Sequence, residues 1–237
     1  MGELQQITCQ HEGVTLKGLV AVPEGKGPFP AVIVMHSALG LAHMVGDIAQ
    51  KLAAMGYLAV ASDMYGEDAD LSEPMKAGAY YAALLAAPEV LRERTVLWFD
   101  TVAARADVDA ARIAAIGYCF GGKCVLELAR SGRDVRAAVS FHGLLTTHAA
   151  AQPGDIKGHV VAWCGAQDPF GPPEETQAFR AEMVAAGADW QITEWGNVQH
   201  GFTDPKAEGG MPGIAYDALA DKVSWAGTVL LLEHAFG

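Results

Sequence analysis

Two periods of apolar and polar positions alternate along this chain, and together they lay out its elements. Residues 4–9 and 14–22 read as two short strands joined by a turn at His11, Glu12 and Gly13. The segment 23–30, P-E-G-K-G-P-F-P, is a loop. Residues 31–35 form a continuous β-branched and apolar run, as expected of a strand buried on both faces. His36, Ser37, Ala38, Leu39 and Gly40 make a turn. Residues 41–55 then carry helical spacing and stop before Gly56. A second buried strand, 57–61, closes in Asp63, Met64, Tyr65 and Gly66.

Acidic and Ala-rich pieces around Pro74 leave 67–88 without an assigned element. The spacing predicts a long amphipathic helix over 89–106, a strand over 113–116 and a helix over 119–130. A strand over 135–141 ends at His142 and Gly143, and 144–156 is irregular. A strand at 159–164, a helix at 174–186, a strand at 190–194, a loop at 197–213 and a helix at 214–235 complete the chain. Strands and helices alternate, so the expected class is α/β: a mostly parallel central sheet covered by helices on both faces. No repeat, linker or low-complexity segment divides residues 1–237, which are read as one domain. In such sheets, sites form at the carboxyl ends of the strands.

Composition narrows the function classes. The net charge of −12 comes without basic clusters, which argues against nucleic acid and anionic membrane surfaces as partners. The start, M-G-E-L-Q-Q, has neither a basic nor an apolar region of the kind a signal peptide needs. No apolar run approaches the roughly 18 residues that would span a bilayer. Cys9, Cys119, Cys124 and Cys164 show neither zinc-type pairing nor the density of a disulfide scaffold. A cytoplasmic protein, monomeric or homodimeric, is the expectation.

The stretch 111–122, A-R-I-A-A-I-G-Y-C-F-G-G, carries the chemistry. Its Gly117, Cys119 and Gly121 match the nucleophile-elbow pattern, with cysteine in the place of the usual serine. Such an elbow lifts the side chain clear of a tight strand-to-helix turn. The helix beginning there turns its N–H groups and positive dipole end toward the sulfur, which favours thiolate. A buried structural cysteine in a Gly-rich turn is the competing reading. The nucleophile needs a base, and the base needs an orienting acid. Asp168 follows the strand 159–164, and His200 lies in the loop after 190–194. The order nucleophile, acid, histidine is that of α/β-hydrolases.

These residues bring in a family. The sequence resembles the dienelactone hydrolase, or carboxymethylenebutenolidase-like, family, a cysteine-nucleophile branch of the α/β-hydrolase fold. The matching pieces are G-Y-C-F-G-G at 117–122, G-Y-L-A-V-A-S-D-M-Y-G at 56–66, Asp168-Pro169, and H-G-F at 200–202. The resemblance implies hydrolysis of a small-molecule ester or enol-lactone through a thioester on Cys119. His200 would be the base and Asp168 its orienting acid, with no metal or organic cofactor. The oxyanion donors would be the backbone N–H groups of Phe120, next after the nucleophile, and of Ala38, aligned on Gly40.

Two departures bear on the substrate. Dienelactone-specific members carry a glutamate where this chain has Ser37. They also hold the substrate carboxylate with arginines, one of them shortly after the catalytic histidine, where this chain reads Thr203, Asp204, Pro205. Arg92 and Arg94 are read as solvated helix charges. Ser37, Tyr65, His142, Phe170 and Phe202 are candidate pocket residues, and His36 is expected to brace the oxyanion turn. The functional readings are therefore a hydrolase of small esters or lactones, a promiscuous carboxylesterase for neutral esters, or a non-catalytic relative with a redox or ligand-binding thiol.

Overall fold

The computed structural model describes residues 4–41, 44–207 and 211–237. Residues 42–43, inside the expected helix 41–55, and 208–210, inside the expected loop 197–213, lie outside the described residues. Among the described residues, eight strands form one sheet: β1 (Gln5–His11), β2 (Val14–Ala21), β3 (Phe29–Met35), β4 (Leu58–Ser62), β5 (Val108–Tyr118), β6 (Ala137–Phe141), β7 (His159–Gly165) and β8 (Asp189–Trp195). Their spatial order is β1-β2-β4-β3-β5-β6-β7-β8. The first two strands make a hairpin, and β2 runs antiparallel to β4. Every later pairing is parallel. Glu12 and Gly13 turn that hairpin with φ of 49° and 83°, and positive φ at both positions matches the right-handed twist of the flanking strands.

Strand alternation sends side chains into two cores. Ala31, Ile33 and Met35 of β3 face one core, and Val32 and Val34 face the other. The first core is covered by α2 (Pro74–Ala86), α3 (Pro88–Ala103), α4 (Phe120–Ala129) and α5 (Pro173–Ala186), the second by α1 (Val45–Ala53) and α6 (Ala218–Phe236). Each fully buried aliphatic side chain in these layers contributes about 1.5–3 kcal/mol of transfer free energy.

The unassigned stretch 67–88 contains α2, whose first helical residue, Pro74, supplies a preset φ and needs no hydrogen-bond acceptor. The terminal helix starts at Ala218 rather than 214, because the Asp217 carboxylate caps it by accepting from Leu219 N–H at 3.1 Å and Ala220 N–H at 2.8 Å. Arg92 and Arg94 are not solvated charges. Arg94 is buried and donates to the Met64 and Tyr65 carbonyls at 2.6 and 3.2 Å. Arg92 pairs with the buried Glu127 at 2.6 Å. Among the described residues, no helix is long and apolar enough to cross a membrane.

Candidate active site

Four adjacent strands end on one side of the sheet, and each delivers a side chain there. Cys119 follows β5, His142 follows β6, Asp168 follows β7 and His200 follows β8.

Cys119 has φ 54° and ψ −113°, a backbone conformation costly for a residue with a side chain. Close packing of three segments holds it there. A Cβ on Gly117 would collide with the backbone of Gly121, and one on Gly121 with the backbone of Met35 and His36. Cys119 N–H donates to the Phe141 carbonyl at 2.9 Å, tying the elbow to the neighbouring strand. Immediately after it, α4 begins, so the Phe120 N–H is one of the helix's unpaired first donors.

The turn after β3 is held by hydrogen bonds of its own. Met64 N–H donates to His36 Nε2 at 3.0 Å, which leaves the proton of the neutral ring on Nδ1. Nδ1–H then donates to the Ser37 carbonyl at 2.6 Å, and Gly40 N–H donates to the same oxygen at 3.0 Å. That carbonyl and the Ala38 N–H belong to one trans peptide, so fixing one fixes the other pointing oppositely. Tyr65 Oη donates to the Ala38 carbonyl at 3.0 Å and secures the next peptide.

Asp168 and His200 meet at 2.8 Å, Oδ2 to Nδ1. The other carboxylate oxygen accepts the Phe170 N–H at 2.8 Å, so the acid is held at both ends. His200 N–H donates to the Gly213 carbonyl at 3.0 Å, and the His200 carbonyl accepts from Ala215 N–H at 3.1 Å. The ring is buried, which opposes its positive charge. Hydrogen bonds to Asp168 and to Cys119 outweigh that burial and push its pKa up to about 10. With Nδ1 occupied by Asp168, Nε2 is the nitrogen left for the sulfur.

A cavity of about 340 Å³ opens over these groups, lined by Cys119, His200, Ser37, Ala38, His142 and Phe170 together with apolar side chains. Tyr65 and Phe202, expected to line it, are buried behind it. Tyr65 stacks on Phe120 with ring centres 5.7 Å apart, and Phe202 packs edge-on against His142 and Trp195. Tyr81 and Thr203 do line the cavity. Tyr81 escaped sequence reading because α2 is Ala-rich and its apolar face is weakly marked. Asp204 also lines the cavity, and among the described residues no arginine does. No group of three or more His, Cys, Asp or Glu among the described residues could hold a metal ion.

The model of the dienelactone hydrolase family matches residues 16–236. A Yersinia pestis protein provisionally named a carboxymethylenebutenolidase is 28% identical over 211 residues, 83% of this chain and 78% of that protein. An uncharacterised Caenorhabditis elegans protein is 37% identical over 133 residues, 54% of this chain and 84% of that protein. Among solved structures, a dienelactone hydrolase-like promiscuous phosphotriesterase from metagenomic libraries is 34% identical. It superposes with a TM-score of 0.86 over 99% of both chains.

Proposed function

The chain belongs to the dienelactone hydrolase family, an enzyme family of hydrolases with the α/β-hydrolase fold, and from that premise we propose that it cleaves small esters or lactones through Cys119, His200 and Asp168. The observation that carries this reading is the 2.8 Å contact of His200 Nδ1 with Asp168 Oδ2, in the cavity that holds Cys119 on its strained elbow.

His200 Nε2 takes the proton of the Cys119 thiol, giving a thiolate beside an imidazolium. Sulfur attacks the substrate carbonyl carbon, and the oxyanion takes the N–H groups of Phe120 and Ala38. Each such donor contributes about 3 kcal/mol to the transition state. Collapse expels the alcohol oxygen, which takes the proton from His200 Nε2 and leaves a thioester on Cys119. Water then gives a proton to Nε2 as its oxygen attacks the thioester. The second collapse releases the acid and restores thiolate and imidazolium. Asp168 orients His200 throughout and is not itself protonated.

The cavity is mostly apolar, is lined by Asp204 and by no arginine among the described residues, and so favours neutral esters and lactones over carboxylate-bearing ones. The phosphotriesterase name of the metagenomic neighbour makes a neutral phosphotriester a sensible second probe. The test is turnover of p-nitrophenyl acetate. Cys119→Ala should lower kcat/KM by on the order of 10⁴-fold while the protein stays folded. Comparable turnover in that variant would remove the nucleophile from the reading and leave the thiol a binding or redox group.

A further inference from the structure

One strand end in the row of four has no part in the reaction as written. His142 sits between the strand bearing the nucleophile and the strand bearing the acid. To meet Cys119, the ring of His200 must reach from the end of β8 past the ends of β7 and β6. His142 is where that reach is supported. It is buried, with 4% of its surface exposed, and its φ of 42° is unusual for a residue with a side chain. Such conformations persist only where the surroundings over-determine them. Its N–H donates to the Trp163 carbonyl at 2.8 Å. Its Nε2 lies 2.8 Å from Thr203 Oγ1, three residues beyond His200. Its ring meets the ring of His200 edge-on, with centres 4.9 Å apart and planes at 67°. Phe170 meets His200 in the same manner, also at 4.9 Å.

We propose that His142 is a positioning residue for the hydrolytic reaction: as a neutral ring tied to Thr203, it supports the His200 imidazole and holds Nε2 toward Cys119. The inference rests on the role assigned above to the Cys119–His200 pair. Neutrality is part of the role, because a second cation 4.9 Å from the imidazolium would repel it. Burial, followed by that same proximity, keeps His142 well below the ordinary histidine range. Among the described residues, the ionisable groups around it are His200 from the loop after β8, with Asp168 beyond, Asp204 next after Thr203 in the same cavity lining, and Cys119 and Tyr118 from the elbow. Its Nδ1 is buried with no hydrogen-bond partner among the described residues, so no acceptor holds a second ring proton there.

The ring and the tie are separable by substitution. His142→Phe keeps an edge-on ring and loses both the Thr203 bond and the ionisation. His142→Asn keeps a polar group and loses the ring. Thr203→Val loses only the tie. Each is assayed for kcat, KM and the pH dependence of Cys119 alkylation by iodoacetamide, which reports the thiolate–imidazolium pair without substrate. His142→Asn should lower kcat by about 10²-fold with KM nearly unchanged, the usual cost of an ångström-scale misplacement. It should also slow alkylation at neutral pH. His142→Phe should lose less kcat and stay active to lower pH than the parent, having no second proton to gain. Thr203→Val should lower kcat several-fold.

A folded His142→Asn with parental kcat and alkylation profile overturns the proposal, as does a His142→Phe with parental kcat and an unmoved acid limb. Should neither variant fold, Thr203→Val decides, and parental kcat with an unmoved alkylation profile in it overturns the proposal. Failure of the underlying reading shows separately, as ester turnover that survives Cys119→Ala.

Discussion

The elbow around Cys119 and the loop around His200 position the two groups proposed to react by opposite means. The elbow is local. Five consecutive residues, two of them glycines packed against fixed backbone, set the φ and ψ of the cysteine. The loop is not. His200 is placed by Asp168 from another strand, by backbone bonds to Gly213 and Ala215, and by rings from His142 and Phe170. A substitution at an elbow glycine therefore threatens the fold of the site, whereas one around the loop should leave a folded protein with a misdirected base.

The sharpest way to test that contrast is in the side chains that hold and carry the proton. His200→Ala should cost on the order of 10⁴-fold in kcat/KM and Asp168→Asn about 10³-fold, with each protein still folded by circular dichroism. Full activity with a neutral residue at 168 would remove the orienting role. On the elbow side, Gly121→Ala should cost about 3 kcal/mol of stability or more, because the added methyl meets backbone that cannot move aside. A thermal melt and urea titration would show it. A stable, active Gly121→Ala protein would erase the distinction between the two regions.

Substrate preference gives a smaller effect. A neutral methyl ester should be turned over with a higher kcat/KM than the corresponding anionic lactone, about tenfold, since no arginine among the described lining residues offers a counter-charge. A clear preference for the anion would overturn this.

The smallest effect is on stability against pH, where the two neighbouring histidines have opposite signs. His200 is raised from 6.5 to about 10, so its contribution is fully present below pH 6.5 and is lost as pH rises toward 10. His142 is depressed below 6.5, so the fold loses stability as pH falls beneath that value. Urea unfolding across this range should therefore peak near neutral pH. His200→Ala should flatten the alkaline side and His142→Phe the acid side, and an unchanged profile in both would show that neither ring is linked to folding.

Legibility in the sequence follows the same division. The sheet strands 31–35 and 57–61 stand out because burial on both faces demands continuous apolar runs, and the structure places β3 and β4 there within about two residues. The elbow is readable from its glycines because its geometry is local. Tyr65 and Phe202, read from the sequence as apolar pocket walls, face the core, since an apolar side chain near a site fits the core as readily as the cavity wall. Arg94 looked like a helix-surface charge, but its partners are carbonyls about 30 residues away in the chain. The support of His200 by His142 and Phe170 is likewise a product of tertiary packing, which no spacing along the chain announces.

The central claim is that Cys119 carries the acyl group. The most direct measurement is acid-quenched mass spectrometry of the enzyme during turnover of p-nitrophenyl acetate, followed by peptide mapping. One acetyl group is expected on the peptide containing Cys119, accumulating at a rate no slower than steady-state turnover and absent in Cys119→Ala. Undiminished turnover by Cys119→Ala, or acetyl carried on another residue in a catalytically competent step, would contradict it.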